Sequence, residues 1–174
     1  MQWVKLNSDG SSMGNPGRAG GGGIIRNAEG KWIKGYARAI GNTTSVATEL
    51  WALRDGIQLC LELNLPAVII ELDVMLVVNL LRSTNHNPNG NNNLVVDCRE
   101  GLARIPRVKL QHCYREANKC ADALARSGAL ARSGALLPCN FLVFYSPPAD
   151  VALLLSLDNA GFLYERSVAP ASVV

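Results

Sequence analysis

The sequence has few of the side chains that build zinc sites or disulfide frameworks. Its 174 residues include two histidines and five widely spaced cysteines, with no Cys-x-x-Cys pair among them. Structural zinc sites and disulfide frameworks use such ligands at short, regular spacings. We therefore predict that the cysteines are single buried thiols, at Cys60, Cys98, Cys113, Cys120 and Cys139.

The chain also lacks long apolar runs, although 48% of its residues are hydrophobic. Runs such as residues 151–155 are far shorter than the roughly 18 to 20 residues of a membrane span. The first residues, which include Lys5 and Asn7, do not form the apolar stretch of a signal peptide. We therefore expect an intracellular protein, in the nucleus or the cytoplasm, with one hydrophobic core and no membrane partner.

The net charge of +3 is unevenly distributed along the chain. Residues 99–132 hold eight lysines and arginines against three acidic residues. This balance is compatible with a polyanionic partner such as nucleic acid. A mixed basic surface is also common on soluble proteins, so the charge alone leaves the partner open.

Hydrophobic periodicity divides most of the chain into strands and helices. Three short strands are predicted at residues 3–9, 24–27 and 31–38, with a glycine run before the second. Apolar residues then recur at steps of three and four over residues 46–63, which predicts an amphipathic helix. Residues 67–70 form a continuous apolar run, which is typical of a strand buried on both faces of a sheet.

The rest of the domain is predicted as a helix at residues 73–82, a second helix that ends at about residue 104, a strand at residues 108–114 and a last helix at residues 117–130. This order predicts a mixed α/β domain over residues 1–137. A right-handed crossover places the fourth strand parallel to the first and beside it, which gives a five-stranded sheet of order 3-2-1-4-5 flanked by helices. We assign residues 138–174 to a C-terminal extension, partly ordered or mobile.

Three acidic residues converge on the point where the predicted strand order reverses. Asp9 ends the first strand and Asp73 the fourth, while Glu49 lies on the apolar face of the first helix and points toward the sheet. Buried carboxylates need a cation or hydrogen-bond donors close by, and no basic residue occupies a matching position. Oxygen ligands of this kind suit Mg²⁺, with Mn²⁺ as the alternative.

Each of these acids also has an ordinary structural interpretation. Asp9 could form a turn, Glu49 could pair with Arg54, and Asp73 could cap the helix that follows it. The joint placement of the three carboxylates is what favours a metal site.

Several spaced motifs resemble those of the ribonuclease H domain, in the same order and on the same elements. The similarity is greatest to the branch found at the ends of reverse transcriptases in plant retroelements and in related stand-alone plant proteins. It extends from residue 1 to about residue 136. The motifs that carry it are Asn7-Ser8-Asp9-Gly10-Ser11, Gly14-Asn15-Pro16-Gly17, residues 20–24, Thr48-Glu49-Leu50-Trp51-Ala52-Leu53, Glu71-Leu72-Asp73 and residues 115–125.

The resemblance implies a ribonuclease H-like fold and an endonuclease that hydrolyses the RNA strand of RNA–DNA hybrids, acting as a monomer. Asp9, Glu49, Asp73 and Asp122 match the four acidic positions of the family's site, so we expect them to be catalytic and to hold the metal. Two Mg²⁺ ions about 3.5 to 4 Å apart would activate a water and stabilise the leaving 3′ oxygen. Asp122 enters this set through the resemblance and not through the strand order.

The resemblance also implies which residues contact the nucleic acid. Glycine permits a close backbone approach, and serine and asparagine can bond a 2′-hydroxyl, the group that distinguishes RNA from DNA. The residues expected to bind substrate are Gly10, Ser11, Asn15, Ser45 and Asn118.

The sequence departs from the family pattern at two points near the site. Ser45 and Val46 stand where the family often has a pair of polar amides that contact the minor groove. A short connection through Arg115 and Glu116 replaces the mobile histidine loop of bacterial members, and His112 is expected to be structural. We expect these changes to affect the rate and the affinity for the hybrid more than metal binding.

Two alternatives to an active nuclease remain open at this stage. One is a nucleic-acid-binding module of retroelement origin that keeps the fold but is catalytically weak or inactive. The other is a retroelement remnant, suggested by a tandem copy of residues 125–130 at residues 131–136. A repeat this short cannot form a solenoid, so we interpret it as a local duplication that lengthens or frays the last helix.

Overall fold

A computed structural model describes residues 2–83, 92–130 and 140–161 of the chain. The strands in these ranges are β1 (Val4–Gly14), β2 (Gly17–Arg26), β3 (Trp32–Thr43), β4 (Val68–Leu72), β5 (Val108–His112) and β6 (Phe141–Phe144). The helices are α1 (Ser45–Glu62), α2 (Met75–Arg82), α3 (Asn92–Arg104), α4 (Lys119–Leu130) and α5 (Ala149–Asn159). A single 3₁₀ turn, Arg115–Ala117, joins β5 to α4.

The strands form one mixed sheet of order β5-β4-β1-β2-β3-β6. β1 is antiparallel to β2 and parallel to β4, and β4 is parallel to β5, so the predicted mixed α/β fold and the order of the first five strands are confirmed. The prediction of a five-stranded sheet is wrong, because β6 adds a sixth strand antiparallel to β3. The sixth strand forms because the apolar segment Phe141–Phe144 of the extension can satisfy the backbone groups on the open side of β3.

One face of the sheet packs against α1. Leu6 and Ile70, on neighbouring parallel strands, meet Leu50 and Leu53 of the helix in a core where all four are fully buried. Apolar residues three and four apart lie on one side of a helix, which is why α1 places its apolar stripe on the sheet. The same stripe carries Glu49 into the protein interior.

The other face of the sheet packs against α4, and glycines allow the helix to come close. A Cβ atom at Gly20 would lie 2.0 Å from the Ala129 nitrogen, and one at Gly22 would lie 2.4 Å from the Ala125 nitrogen. The prediction that the second strand starts after the glycine run is therefore wrong, since β2 runs through these glycines. Direct contact between the backbones of β2 and α4 fixes the position of α4 and of the residues on it.

The extension adds β6 to the edge of the sheet and α5 to this second face. Val151 and Leu155 of α5 are buried against Ile24 of β2 and Leu124 of α4. Asp158 of the same helix forms a salt bridge with Arg26, which is 7% exposed and also donates to the Asn7 side chain at 2.8 Å. The segment is therefore joined to the domain by apolar burial and by a charge pair in which the arginine is buried and the aspartate is partly exposed.

Truncating the buried leucine of α5 should show how much this segment stabilises the fold. We expect Leu155→Ala to lower the free energy of unfolding by about 2 to 4 kcal/mol, because it leaves a cavity between α5, β2 and α4. Leu153→Ala is the matched control on the same helix, since Leu153 is 63% exposed, and it should cost less than about 0.5 kcal/mol. Denaturant unfolding of the three proteins measures both values, and equal stabilities would contradict the packing of α5.

Several smaller expectations can be compared with the described part of the chain. Cys60, Cys98, Cys113 and Cys120 are buried free thiols, as predicted, whereas Cys139 lies outside the described residues. The first copy of the repeated hexamer forms the end of α4, and the second copy also falls outside. Within residues 2–83, 92–130 and 140–161, none of the helices combines the length and the apolar character needed to cross a bilayer.

Candidate active site

Three carboxylates from three elements meet at the centre of the sheet. Asp9 lies in the middle of β1, Glu49 in α1, and Asp73 directly after β4. One oxygen from each lies within 4.8 Å of the others. Asp9 and Glu49 are 6% and 8% exposed, and the Asp73 side chain is 3% exposed, so the group is almost closed to solvent. Three acids at this distance repel one another unless protons or cations are present.

Backbone geometry explains why they meet. β1 and β4 are parallel neighbours with Asn7 opposite Glu71, so Asp9 and Asp73, two residues further along each strand, lie at the same level. The Thr44 side chain caps α1 by accepting the Ala47 N–H. Glu49 then reaches β1, where its Oε2 accepts the Gly10 N–H at 3.0 Å.

Burial and mutual repulsion raise the pKa values of two of these carboxyls in the metal-free protein. Burial, followed by the charges of Glu49, Asp73 and Asp122, raises the pKa of Asp9 from 3.8 to about 9. Burial and the charge of Asp73 raise the pKa of Glu49 from 4.5 to about 8, against the opposing effects of the Gly10 N–H and of Arg115. The site therefore disfavours uncompensated negative charge at neutral pH.

Asp122 lies beside this group without being one of the three clustered acids. It is in the first turn of α4, close enough to hydrogen-bond Asp9 and to raise its pKa. Its carboxylate also pairs with Arg126, one turn later, at 2.8 Å. The close approach of α4 to β2 is what brings Asp122 near Asp9.

A basic side chain faces the acids, which corrects the expectation that none occupies a matching position. The Arg115 Nε donates to Asp73 Oδ2 at 3.3 Å, while Asp73 Oδ1 is buried with no hydrogen-bond partner in the part of the chain that the structure describes. The sequence held one signal for this contact, because Arg115 follows β5, and β5 ends at the same edge of the sheet as β4. His112 contacts the Asp73 main-chain oxygen at 3.1 Å.

Three of the five residues expected to bind substrate lie together in a cleft beside Glu49. Gly10, Asn15 and Ser45 line a cleft of about 530 Å³ that Glu49 and Arg115 also border. Asn15 Oδ1 accepts the Ser45 N–H at 3.1 Å, which ties the turn after β1 to the start of α1.

Ser11 and Asn118 are placed differently from these three. Ser11 is half-buried in β1, outside the lining of that cleft. Asn118 is fully buried, and its Nδ2 donates to the Ser8 carbonyl at 3.0 Å, so it holds the start of α4 on β1. The structure therefore brings Gly10, Asn15 and Ser45 together and leaves Ser11 and Asn118 apart from them.

The raised pKa values predict how the stability of the metal-free protein depends on pH. Between the ordinary values of 3.8 and 4.5 and the raised values of about 9 and 8, the folded protein keeps protons on Asp9 and Glu49 that the unfolded chain releases. The stabilisation from these two protonated carboxyls should therefore be complete below about pH 4. The free energy of unfolding should then fall as the pH rises from 5 to 9. Thermal unfolding in EDTA across this range measures the decline. The profile of Asp9→Asn should be flatter, and identical profiles would contradict the prediction.

The sheet order and the helices on both faces of the sheet are those of a ribonuclease H-like fold. The sequence profile described as reverse transcriptase-like matches residues 7–128. The chain belongs to this reverse transcriptase-like family and contains a ribonuclease H domain.

Similar proteins include one curated relative and several solved structures. An Arabidopsis thaliana protein, provisionally named a ribonuclease H protein, is 37% identical over 166 residues, which cover 95% of this chain and 26% of that protein. The chain thus spans about a quarter of the length of this relative. The ribonuclease H1 of the halophilic archaeon Halobacterium salinarum is 27% identical with a TM-score of 0.70, covering 75% of this chain and 98% of its own.

A second solved structure shows the fold alone. A ribonuclease H1 named LC11, isolated from compost, was crystallised in complex with an RNA/DNA hybrid. In that complex it is 24% identical to this chain with a TM-score of 0.65, and the similarity covers 75% of this chain and 98% of that one.

Proposed function

We propose that this chain is a divalent-metal-dependent endonuclease that hydrolyses the RNA strand of RNA–DNA hybrids. The observation that carries the proposal is the group of Asp9, Glu49 and Asp73, whose oxygens lie within 4.8 Å of one another in a nearly buried site. Membership of the reverse transcriptase-like family and similarity to ribonucleases H support the substrate class.

The residues present fit a hard divalent cation. The donors are carboxylate oxygens, which Mg²⁺ and Mn²⁺ prefer, and Asp73 Oδ1 is buried without a partner among the described residues. Asp9, Glu49 and Asp73 would hold the metal, and Asp122 would complete the set from α4. When bound, Mg²⁺ supplies the positive charge that lets a water act as nucleophile at the scissile phosphate and that stabilises the leaving 3′ oxygen.

The side chains around the acids would position the hybrid. Asn15 and Ser45 border the cleft beside Glu49, where their polar groups can reach a nucleic-acid backbone and its 2′-hydroxyls. The Gly10 N–H holds the Glu49 carboxylate in place from β1. Ser11 and Asn118 would affect hybrid binding less directly, Asn118 by fixing the start of α4 on β1.

Incubating the protein with an end-labelled RNA–DNA hybrid tests the proposal directly. With millimolar Mg²⁺ or Mn²⁺ we expect short RNA products, and EDTA should stop their formation because the carboxylates cannot carry out the hydrolysis alone. A duplex of DNA with the same sequence is the control and should stay intact. A hybrid that is bound with a steep salt dependence but remains uncleaved at every metal concentration would instead favour a binding module.

A further inference from the structure

Arg115 faces the acidic group from a single turn of chain. It begins the one-turn 3₁₀ helix Arg115–Ala117, between the end of β5 and the start of α4. Its side chain is 84% exposed, whereas its partner Asp73 is 3% exposed, and the Nε and Oδ2 atoms are 3.3 Å apart. An exposed cation thus pairs with a nearly buried carboxylate, and the backbone that carries this cation lies at the surface.

The guanidinium also lies where two clefts meet. Arg115 borders the cleft of about 530 Å³ that contains Gly10, Asn15 and Ser45. It equally borders a second cleft of about 670 Å³, which is lined by Asp122, Lys119 and Arg126 among others. An exposed arginine at this junction has open space on both sides into which its side chain can turn.

We propose that Arg115 is an internal counter-ion of the acidic site that competes with the divalent cation for Asp73. This inference rests on the proposed metal site. A metal ion held by Asp73 at ordinary Mg²⁺ coordination distances of about 2.0 to 2.1 Å would stand within a few ångströms of a guanidinium bonded to the same carboxylate. Like charges at that separation repel, so a metal ion and Arg115 weaken each other's hold on Asp73.

Two opposite effects follow from this competition. In the metal-free protein, Arg115 offsets part of the repulsion among the acids, as its lowering effect on the pKa of Glu49 indicates. In the metal-bound protein the same residue would face a second cation at Asp73, and the two clefts give its side chain room to turn away. Arg115 therefore stabilises the metal-free fold and weakens the affinity for metal.

Calorimetric titration of the full chain with Mn²⁺, without nucleic acid, tests the inference. Arg115→Ala and Arg115→Gln should each bind Mn²⁺ about two- to fivefold more tightly than the wild type, within the range expected for loss of a partly exposed ion pair. In EDTA, both variants should unfold at a lower temperature than the wild type. If Arg115 merely supported the site, its substitution would lower the affinity of the protein for Mn²⁺.

Arg54→Ala is the matched control, because it removes the same charge from a surface pair with Asp97 away from the acids. It should leave the Mn²⁺ affinity unchanged. Unchanged or weaker binding by both Arg115 variants, with normal binding by the wild type, would overturn the inference alone. Absence of Mn²⁺ binding in the wild type and in the variants would overturn the proposed function together with it.

Discussion

Asp9→Asn is expected to abolish cleavage of the RNA–DNA hybrid while the protein stays folded. The substitution keeps the size of the side chain but removes the central carboxylate, which lies beside Glu49, Asp73 and Asp122. Loss of a group that supports a metal ligand commonly costs 10- to 100-fold in affinity or activity, so loss of the ligand itself should lower the cleavage rate by more than about a hundredfold. Single-turnover cleavage of a labelled hybrid in Mg²⁺ measures the change.

The fold of this variant should be unharmed or more stable, because burial makes ionised Asp9 unfavourable without metal. Asp97→Asn provides the matched control, since it removes an acid from an exposed pair with Arg54 and should cleave at the wild-type rate. Undiminished cleavage by Asp9→Asn would refute the proposed site. Equal loss in both variants would point to overall charge instead of metal binding.

Gly22→Ala should strongly destabilise the protein, because a methyl group at this position of β2 would meet the backbone of α4. The new Cβ would lie 2.4 Å from the Ala125 nitrogen and 2.5 Å from the Leu124 carbonyl carbon, and neither backbone atom can move without shifting α4. We expect a loss of about 3 kcal/mol in the free energy of unfolding, at the upper end of the range for overpacked sites. A displaced α4 also moves Asp122, so cleavage should decline even where the variant remains folded.

The control for this prediction is Gly101→Ala, in α3. There the added Cβ would lie 2.6 Å from the Ile57 Cγ2 atom, a side-chain atom and not backbone, and alanine favours a helix over glycine. Gly101→Ala should therefore cost less stability than Gly22→Ala, as measured by denaturant unfolding. A Gly22→Ala variant as stable as this control would contradict the close packing of β2 on α4.

The elements with a clear hydrophobic period could be predicted closely from the sequence. The helix expected at residues 46–63 is α1, Ser45–Glu62, and the apolar run at residues 67–70 lies in β4, Val68–Leu72. The glycine run of β2 could not be predicted as a strand, because glycine has no side chain to indicate a period. Its place in β2 depends on α4, which lies about a hundred residues later in the chain. The pairing of β6 depends in the same way on which edge the folded sheet leaves open.

The acidic group was within reach of sequence reasoning because parallel strands align their ends. Asp9 and Asp73 were expected to be neighbours from topology alone, and the helical period turned Glu49 toward them. The contact of Arg115 with Asp73 was missed, because it is set by the path of a 3₁₀ turn that has no apolar period. A charged residue that follows one parallel strand can therefore pair with an acid that follows the neighbouring strand.

The pairing of β6 with β3 affects the chain while it is being made. β3 leaves the ribosome long before Phe141, because residues 44–140 separate the two strands. Until then the outer edge of this twelve-residue strand has no partner from its own chain. An unpaired strand edge of this length is a template for association with other chains. Synthesis that pauses or stops before Phe141 thus leaves the middle of this edge open to association with other chains, and β6 later covers it at residues 35–38.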